Sequence, residues 1–234
     1  MSQLIAALDF PRLSEAEKIV KKVSPLVKIF KVGKELFTSA GPEAVEMVHS
    51  YKCRVFLDLK FHDIPNTVGS ACEAATRLGV FMLNVHALGG RTMLYSAVQS
   101  VHKAAGEKKT DPPKVLGVTV LTSLADRDLR EVGIKKKLRQ EVEDLAILTQ
   151  RCGLDGVVAS GQEIKLIREV TGKNFLIVTP GVRPVWAGHD DQKRVMTPKE
   201  AVKTGADFIV VGRPITQHPQ PLVAAEKILK EIEA

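Results

Sequence analysis

The chain lacks the long apolar segments that mark membrane proteins. None of its 234 residues lie in an uncharged apolar run of about 18 or more, the length a transmembrane helix needs. Its opening, MSQLIAALDF, is a strand-like apolar run that contains Asp9 and has no basic leader, so we expect no secretion signal.

Cysteine is scarce, which argues against a disulfide framework or a zinc site. Cys53, Cys72 and Cys152 are odd in number, widely spaced and without a C-x-x-C pair. We interpret them as buried free thiols and expect a cytoplasmic protein.

Aromatic residues make up only 5% of the chain, although its net charge is +7. That charge is compatible with nucleic acid or with small anionic substrates. Lysines cluster in helix-like segments without interleaved aromatics, at Lys18, Lys21, Lys22, Lys135, Lys136 and Lys137. We interpret these clusters as solvated helix faces and expect no nucleic-acid partner, because base-stacking surfaces need aromatics. A basic RNA-binding protein remains an alternative.

Short β-branched apolar runs alternate with amphipathic segments along the whole chain, which is typical of βα repeats. The predicted strands are Leu4–Leu8, Val27–Val32, Val55–Leu59, Phe81–His86, Val115–Leu121, Gly156–Ala159, Phe175–Thr179 and Phe208–Val211. The predicted helices lie near Ser14–Val23, Pro42–His49, Asn66–Leu78, Arg91–Ala105, Leu138–Cys152, Gly161–Val170, Thr197–Thr204 and Pro221–Ile232. Eight such units in this length predict one α/β domain over residues 1–234, a (β/α)8 TIM barrel.

Charged residues collect where the predicted strands end. They are Asp9, Lys31, Asp58, Lys60 and His86. In a TIM barrel these ends form the mouth of the active site, and a charge buried there must pair or meet a ligand. Asp58 and Lys60 share a face of their strand, whereas Asp63 lies on the loop that follows. A purely structural ion-pair cluster is the alternative interpretation.

The loops after predicted strands 7 and 8 have the composition of a phosphate site, which this fold often builds there. They read TPGVRP at 179–184 and VGRPI at 211–215. Gly212 permits close backbone approach and Arg213 offers a forked cation, although a simple turn is also possible. Gly181, Gly188 and residues 189–191 make the first loop a candidate lid, with a passive surface loop as the alternative.

The run DLKFHDIPNT at 58–67 resembles the signature of the orotidine 5'-phosphate decarboxylase family, in its monofunctional bacterial form. Shorter pieces fall in the expected order: LD at Asp9, KVG at Lys31, NVHA at His86, and further pieces at Thr122, Arg183, Gln192 and Arg213.

The resemblance implies a TIM-barrel homodimer with shared sites that converts orotidine 5'-monophosphate to uridine 5'-monophosphate without metal or cofactor. It places Asp9 and Lys31 at the ribose hydroxyls, and Asp58 and Lys60 at pyrimidine C6 and its carboxylate. Asp63 and Thr67 reach the neighbouring subunit's site, and Ile64 is a further substrate-binding residue. Thr122 faces the pyrimidine, and the phosphate is held by Arg183, Gln192, Gly212 and Arg213.

On physical grounds the ammonium group of Lys60 can stabilise negative charge at C6 and then donate a proton to it. Asp58, Asp63 and Lys31 complete the array of charges around Lys60. The alternative enzyme is a decarboxylase or aldolase of sugar phosphates that uses a similar Asp-x-Lys-x-x-Asp strand with Mg²⁺.

Overall fold

Eight parallel strands close into a barrel in chain order, β1 to β8. The computed structural model describes residues 3–187 and 196–233. The strands are β1 Gln3–Ala7, β2 Ile29–Gly33, β3 Arg54–Phe61, β4 Met82–His86, β5 Lys114–Val118, β6 Gly156–Val158, β7 Leu176–Thr179 and β8 Phe208–Val211. The first strand pairs with the last, in the register Gln3 to Phe208 through Ala6 to Val211, which closes the barrel.

Helices follow the strands around the outside of the barrel. In the described ranges they are α1 Leu13–Val23, α2 Lys34–Ala40, α3 Glu43–Ser50, α4 Pro65–Arg77, α5 Gly90–Lys108, α6 Asp126–Glu131, α7 Leu138–Arg151, α8 Ile164–Thr171, α9 Pro198–Thr204, α10 Arg213–Thr216 and α11 Pro221–Glu233. Pro65 opens α4, where its missing N–H leaves no bond unmade. None of these helices has the length and apolar character that a membrane crossing requires.

Two apolar clusters show how the strands alternate. One cluster contains Ile5, Ala7, Ile29, Phe56, Met82, Leu116, Val118, Val158, Val178, Phe208 and Val210, which are alternate residues of their strands and fill the barrel interior. The intervening residues, such as Leu4, Ala6, Val55 and Leu57, belong to the larger cluster between strands and helices. Continuing the inward alternation leads to Asp9, Lys31, Asp58 and Asn84 at the carboxyl-terminal mouth.

The predicted barrel is confirmed, with differences at the ends of its elements. Lys31 lies inside β2 rather than at its end, and Asp9 lies two residues past β1. Strand β5 ends at Val118 instead of Leu121, and helices α2 and α6 were not predicted. The placement of Lys135, Lys136 and Lys137 on a helix was wrong, because these exposed lysines precede α7.

Candidate active site

Four charged side chains form a chain of ion pairs at the mouth of the barrel. Lys31 Nζ lies 2.7 Å from Asp9 Oδ1 and 3.5 Å from Asp58 Oδ2. Lys60 Nζ lies 2.5 Å from Asp58 Oδ1. Asp58 is only 9% exposed, so its charge is stabilised by the two lysines that flank it. The structure therefore brings together Asp9, Lys31, Asp58 and Lys60 with alternating sign.

A bulge in β3 directs Lys60 into this cluster. Leu57 pairs with Leu83, but the next pairing joins Phe61 to Val85, so β3 carries two more residues than β4 across this interval. Lys60 has a φ of 54°, in the left-handed region that side chains other than glycine rarely occupy. The expectation that Asp58 and Lys60 project together is confirmed, although regular strand alternation is not the reason.

Asn84 on β4 fills the space opposite the bulge, and the sequence analysis missed it. Its Oδ1 accepts a hydrogen bond of 2.8 Å from the backbone N–H of Lys60. Its Nδ2 donates one of 2.7 Å to Asp58 Oδ1. The signal was present in the sequence, because Asn84 lies two residues after the inward-facing Met82 and two before His86.

His86 ends β4 beside the cluster, with its ring centroid 5.2 Å from that of His62. Burial lowers the pKa of His86 to about 4, and His62, Lys34 and Lys60 add repulsion. The imidazole is therefore neutral near pH 7 and adds no positive charge to the cluster. Its Nδ1 is buried and has no hydrogen-bond partner among the described residues. Across the same residues, no group of three or more His, Cys, Asp or Glu side chains is placed to hold a metal ion.

A cavity of about 270 Å³ joins the ion-pair cluster to the loops after β7 and β8. Its lining consists of Ala7, Asp9, Lys31, Asp58, Pro180, Gly181, Val182, Arg183, Val210, Gly212, Arg213 and Pro214. Arg183 is 5% exposed, and its backbone N–H donates to Met196 O at 2.9 Å. Gly212 immediately precedes the short helix α10, which Arg213 begins. Both arginines thus share one cavity with the acidic and basic residues of the mouth.

The remaining predicted site residues lie outside this cavity or outside the described ranges. Asp63, Ile64 and Thr67 are exposed between the end of β3 and the first turn of α4, and Thr122 is exposed after β5. Asp63 Oδ1 accepts a hydrogen bond of 2.6 Å from the Ile64 N–H. Gln192, Gly188 and the lid residues 189–191 fall outside the described residues.

A closed parallel barrel with its charged residues gathered at the carboxyl ends of the strands defines a TIM-barrel enzyme. A sequence model of the Orotidine 5'-phosphate decarboxylase / HUMPS family matches residues 2–228, and the chain belongs to this family. The family resemblance of the 58–67 signature is thereby confirmed.

Similar proteins agree with this assignment over more than nine tenths of their lengths. An orotidine 5'-phosphate decarboxylase of Moorella thermoacetica is 53% identical over 232 residues, which cover 99% of this chain and 92% of that protein. One from Geotalea uraniireducens is 52% identical, with 100% and 96% covered. The crystal structure of orotidine 5'-phosphate decarboxylase from Lactobacillus acidophilus superposes with a TM-score of 0.88 at 39% identity, and all of both chains is covered.

Proposed function

We propose that this chain decarboxylates orotidine 5'-monophosphate to uridine 5'-monophosphate and CO2, the last step of de novo UMP synthesis. It acts in the cytoplasm, as one domain over residues 1–234, without metal or organic cofactor. One observation carries the proposal: the ion-pair chain through Lys31, Asp58 and its neighbours opens into the same cavity as Arg183 and Arg213. The names of the relatives support the proposed reaction. The three buried free thiols support the proposed cytoplasmic location.

The reaction needs a cation close to C6 of the pyrimidine. Breaking the bond between C6 and the carboxylate leaves an electron pair in the ring plane, where the π system cannot delocalise it. The protein must therefore favour the developing carbanion over the starting carboxylate, through charges already held in place. Lys60 supplies this charge, and its Nζ–H bond then breaks as the proton moves to C6. The neutral amine regains a proton from water.

Asp58 has a complementary role at the departing carboxylate. A carboxylate fixed there destabilises the bound substrate, and the repulsion disappears as neutral CO2 forms. Lys31 contacts the second oxygen of Asp58 and also Asp9, so it links the reacting end of the site to the ribose end. Asp9 and Lys31 hold the ribose hydroxyls in this proposal, and Thr122 faces the pyrimidine edge.

The phosphate occupies the other end of the cavity. Arg183 and Arg213 line that end together with Gly212, whose lack of a side chain admits a phosphate close to the backbone. Gln192 completes the set. Binding of this remote group helps catalysis by closing the loop after β7, the candidate lid, over the substrate.

The second subunit of a homodimer completes each site. Asp63 is exposed and makes no ion pair with any residue that the structure describes. Its carboxylate is therefore available to interact with the ion-pair cluster of the neighbouring subunit. The apolar side chains of Ile64 and Tyr95 are 67% and 57% exposed nearby. Ser96, next to Tyr95, donates a hydrogen bond of 2.8 Å to the carbonyl oxygen of Pro65, which follows Ile64. Ile64 and Tyr95 therefore lie on the same face of the molecule. In this arrangement Asp63, Ile64 and Thr67 contact substrate in the neighbouring site.

The test is loss of orotidylate absorbance on adding pure protein that has been treated with EDTA, with Lys60→Ala as the inactive control. We expect turnover to persist in EDTA and to be unaffected by added Mg²⁺. Activity on any substrate that vanishes in EDTA and returns with Mg²⁺ would identify the metal-dependent sugar-phosphate enzyme instead. Binding of labelled RNA that a nucleoside monophosphate cannot compete away would favour the RNA-binding alternative.

A further inference from the structure

We infer that Asn84 is a positioning residue that sets both Lys60 and Asp58 for catalysis, an inference that rests on the proposed function. Asn84 is 0% exposed on the inner face of β4. It contacts the backbone of one of these residues and the side chain of the other. A buried amide is costly unless its polar atoms are paired, and these contacts pair both ends of it.

The orientation of the Asn84 amide follows from what its partners can do. The backbone N–H of Lys60 can only donate, so the atom facing it must be Oδ1. The Nδ2 group therefore faces Asp58, whose carboxylate accepts its hydrogen bond. A leucine or valine at position 84 would fill the space but leave the Lys60 N–H buried and unpaired. The asparagine is therefore matched at both ends.

The first of these bonds holds the β3 bulge. Lys60 takes a left-handed backbone conformation that is unfavourable for a side chain larger than glycine, so surrounding contacts must maintain it. Within the bulged interval, the Asn84 side chain supplies the acceptor for the Lys60 N–H. The bulge in turn places Lys60 Nζ at Asp58. The Asn84 side chain thus positions Lys60, the proton donor, by holding the Lys60 backbone.

The second bond fixes the rotation of the Asp58 carboxylate. Oδ1 accepts from both Asn84 Nδ2 and Lys60 Nζ, while Oδ2 faces Lys31. Asn84 adds a hydrogen-bond donor without adding charge, so the net charge of the array is unchanged. The carboxylate is held in one orientation, which a role at the departing substrate carboxylate requires.

Replacing Asn84 by Asp gives a variant of the same shape that titrates. Its titratable contacts are Asp58 and Lys60, which in turn lie beside Lys31 and the neutral imidazole of His86. Its cross-strand neighbour on β5 is the uncharged Leu116. At high pH two carboxylates face each other and the donor to Asp58 is lost. At lower pH the pair shares one proton, which restores a donor between the two side chains.

We expect Asn84→Asp to lower kcat for orotidine 5'-monophosphate about 100-fold near pH 8, the scale of a small misplacement of reacting groups, with KM little changed. As the pH falls toward 5, kcat relative to wild type should rise again. The matched control is Asn174→Asp, which makes the same change at an exposed site before β7 and should follow the wild-type profile. Asn84→Ala lacks the titrating group, and its kcat should stay low at every pH.

Asn84→Asp decides the question, because it preserves side-chain volume even if the alanine variant folds poorly. A kcat and pH profile equal to wild type would overturn the inference, as would a loss that does not change with pH. Failure of the wild-type protein to consume the substrate would instead overturn the proposed decarboxylation. Direct binding of uridine 5'-monophosphate to Asn84→Asp should match wild type, and a parallel loss of binding would also count against a positioning role.

Discussion

Gly33 and Lys31 are so close that a Cβ added to Gly33 would stand 2.8 Å from Lys31 Nζ. The same Cβ would lie 3.1 Å from Asp9 Oδ1. Gly33 has an extended backbone, with φ −96° and ψ −176°, so the conformation itself does not require glycine. The missing side chain is what allows the ammonium of Lys31 to reach both Asp9 and Asp58.

We expect Gly33→Ala to fold and to lose activity, because the added methyl group displaces the flexible end of Lys31 rather than backbone. kcat/KM for orotidine 5'-monophosphate should fall about 10- to 100-fold, as for other changes that displace a site group. Gly106→Ala is the matched control, since a Cβ there meets nothing within 4 Å and should leave activity unchanged. Wild-type activity in Gly33→Ala would show that Lys31 is not tightly placed.

Lys60→Ala should abolish turnover while the protein stays folded and still binds phosphate, because it removes the proton donor and the cation aimed at C6. Lys60→Gly should be equally inactive but more stable than Lys60→Ala by about 1 kcal/mol, because glycine tolerates the positive φ at this position. Activity assays and urea unfolding measure the two effects. Near-normal turnover of either variant would remove Lys60 from catalysis.

Arg213→Ala should weaken phosphate binding by roughly 1.5–3 kcal/mol, the range for a hydrogen bond to a charged group. Steady-state kcat/KM on the phosphorylated substrate measures this loss. Arg139→Ala changes an exposed arginine at the start of α7 and serves as the control. If kcat/KM were the same in Arg213→Ala and wild type, Arg213 would not belong to the phosphate site.

His86 should make the folded chain sensitive to acid. Its pKa falls from the ordinary value of 6.5 to about 4 on folding, so the unfolded chain binds this proton more tightly. The stability that results is present above pH 6.5 and is lost as the pH falls from 6.5 toward 4. In thermal unfolding, His86→Asn should show a smaller drop in Tm between pH 7.5 and 5 than wild type. The exposed His102→Asn should show the wild-type drop.

The barrel was predictable because its signal is local and repeated. Each strand is a short apolar run, and the order of runs and amphipathic segments alone distinguishes this fold. Helices α2 and α6 escaped because both are short, with Leu36 and Leu129 as their respective buried residues. A helix with one buried residue lacks the apolar repeat, every three or four positions, by which a helix is predicted from sequence.

The cluster of Asp9, Lys31, Asp58 and Lys60 was predicted from residue type and strand position, whereas Asn84 was not. Its role depends on the bulge opposite, and a bulge is a property of pairing between β3 and β4 rather than of either sequence. The same limit applies to Asp63. Its place on the loop after β3 is readable from the sequence, but the side chain is exposed and does not line the cavity of its own chain, and its proposed partner lies in a second chain.

The shared-site proposal assigns Lys60 and Asp63 of one active site to different subunits. Each single variant, Lys60→Ala or Asp63→Ala, should then be nearly inactive as a homodimer. When the two variants are unfolded together and reassembled, every mixed dimer contains one site with both residues intact and one site with neither. Random pairing makes half of the dimers mixed, so activity should return to about a quarter of the wild-type value.

The mixture distinguishes the two arrangements, because no pairing can rebuild a site whose Lys60 and Asp63 come from one chain. Native mass spectrometry should confirm that mixed dimers form, since the two variants differ in mass. Each variant reassembled alone is the control for activity gained merely by refolding. Mixed dimers no more active than these controls would refute the shared site and would leave the proposed decarboxylation intact, because Asp63 would then act, if at all, within its own chain.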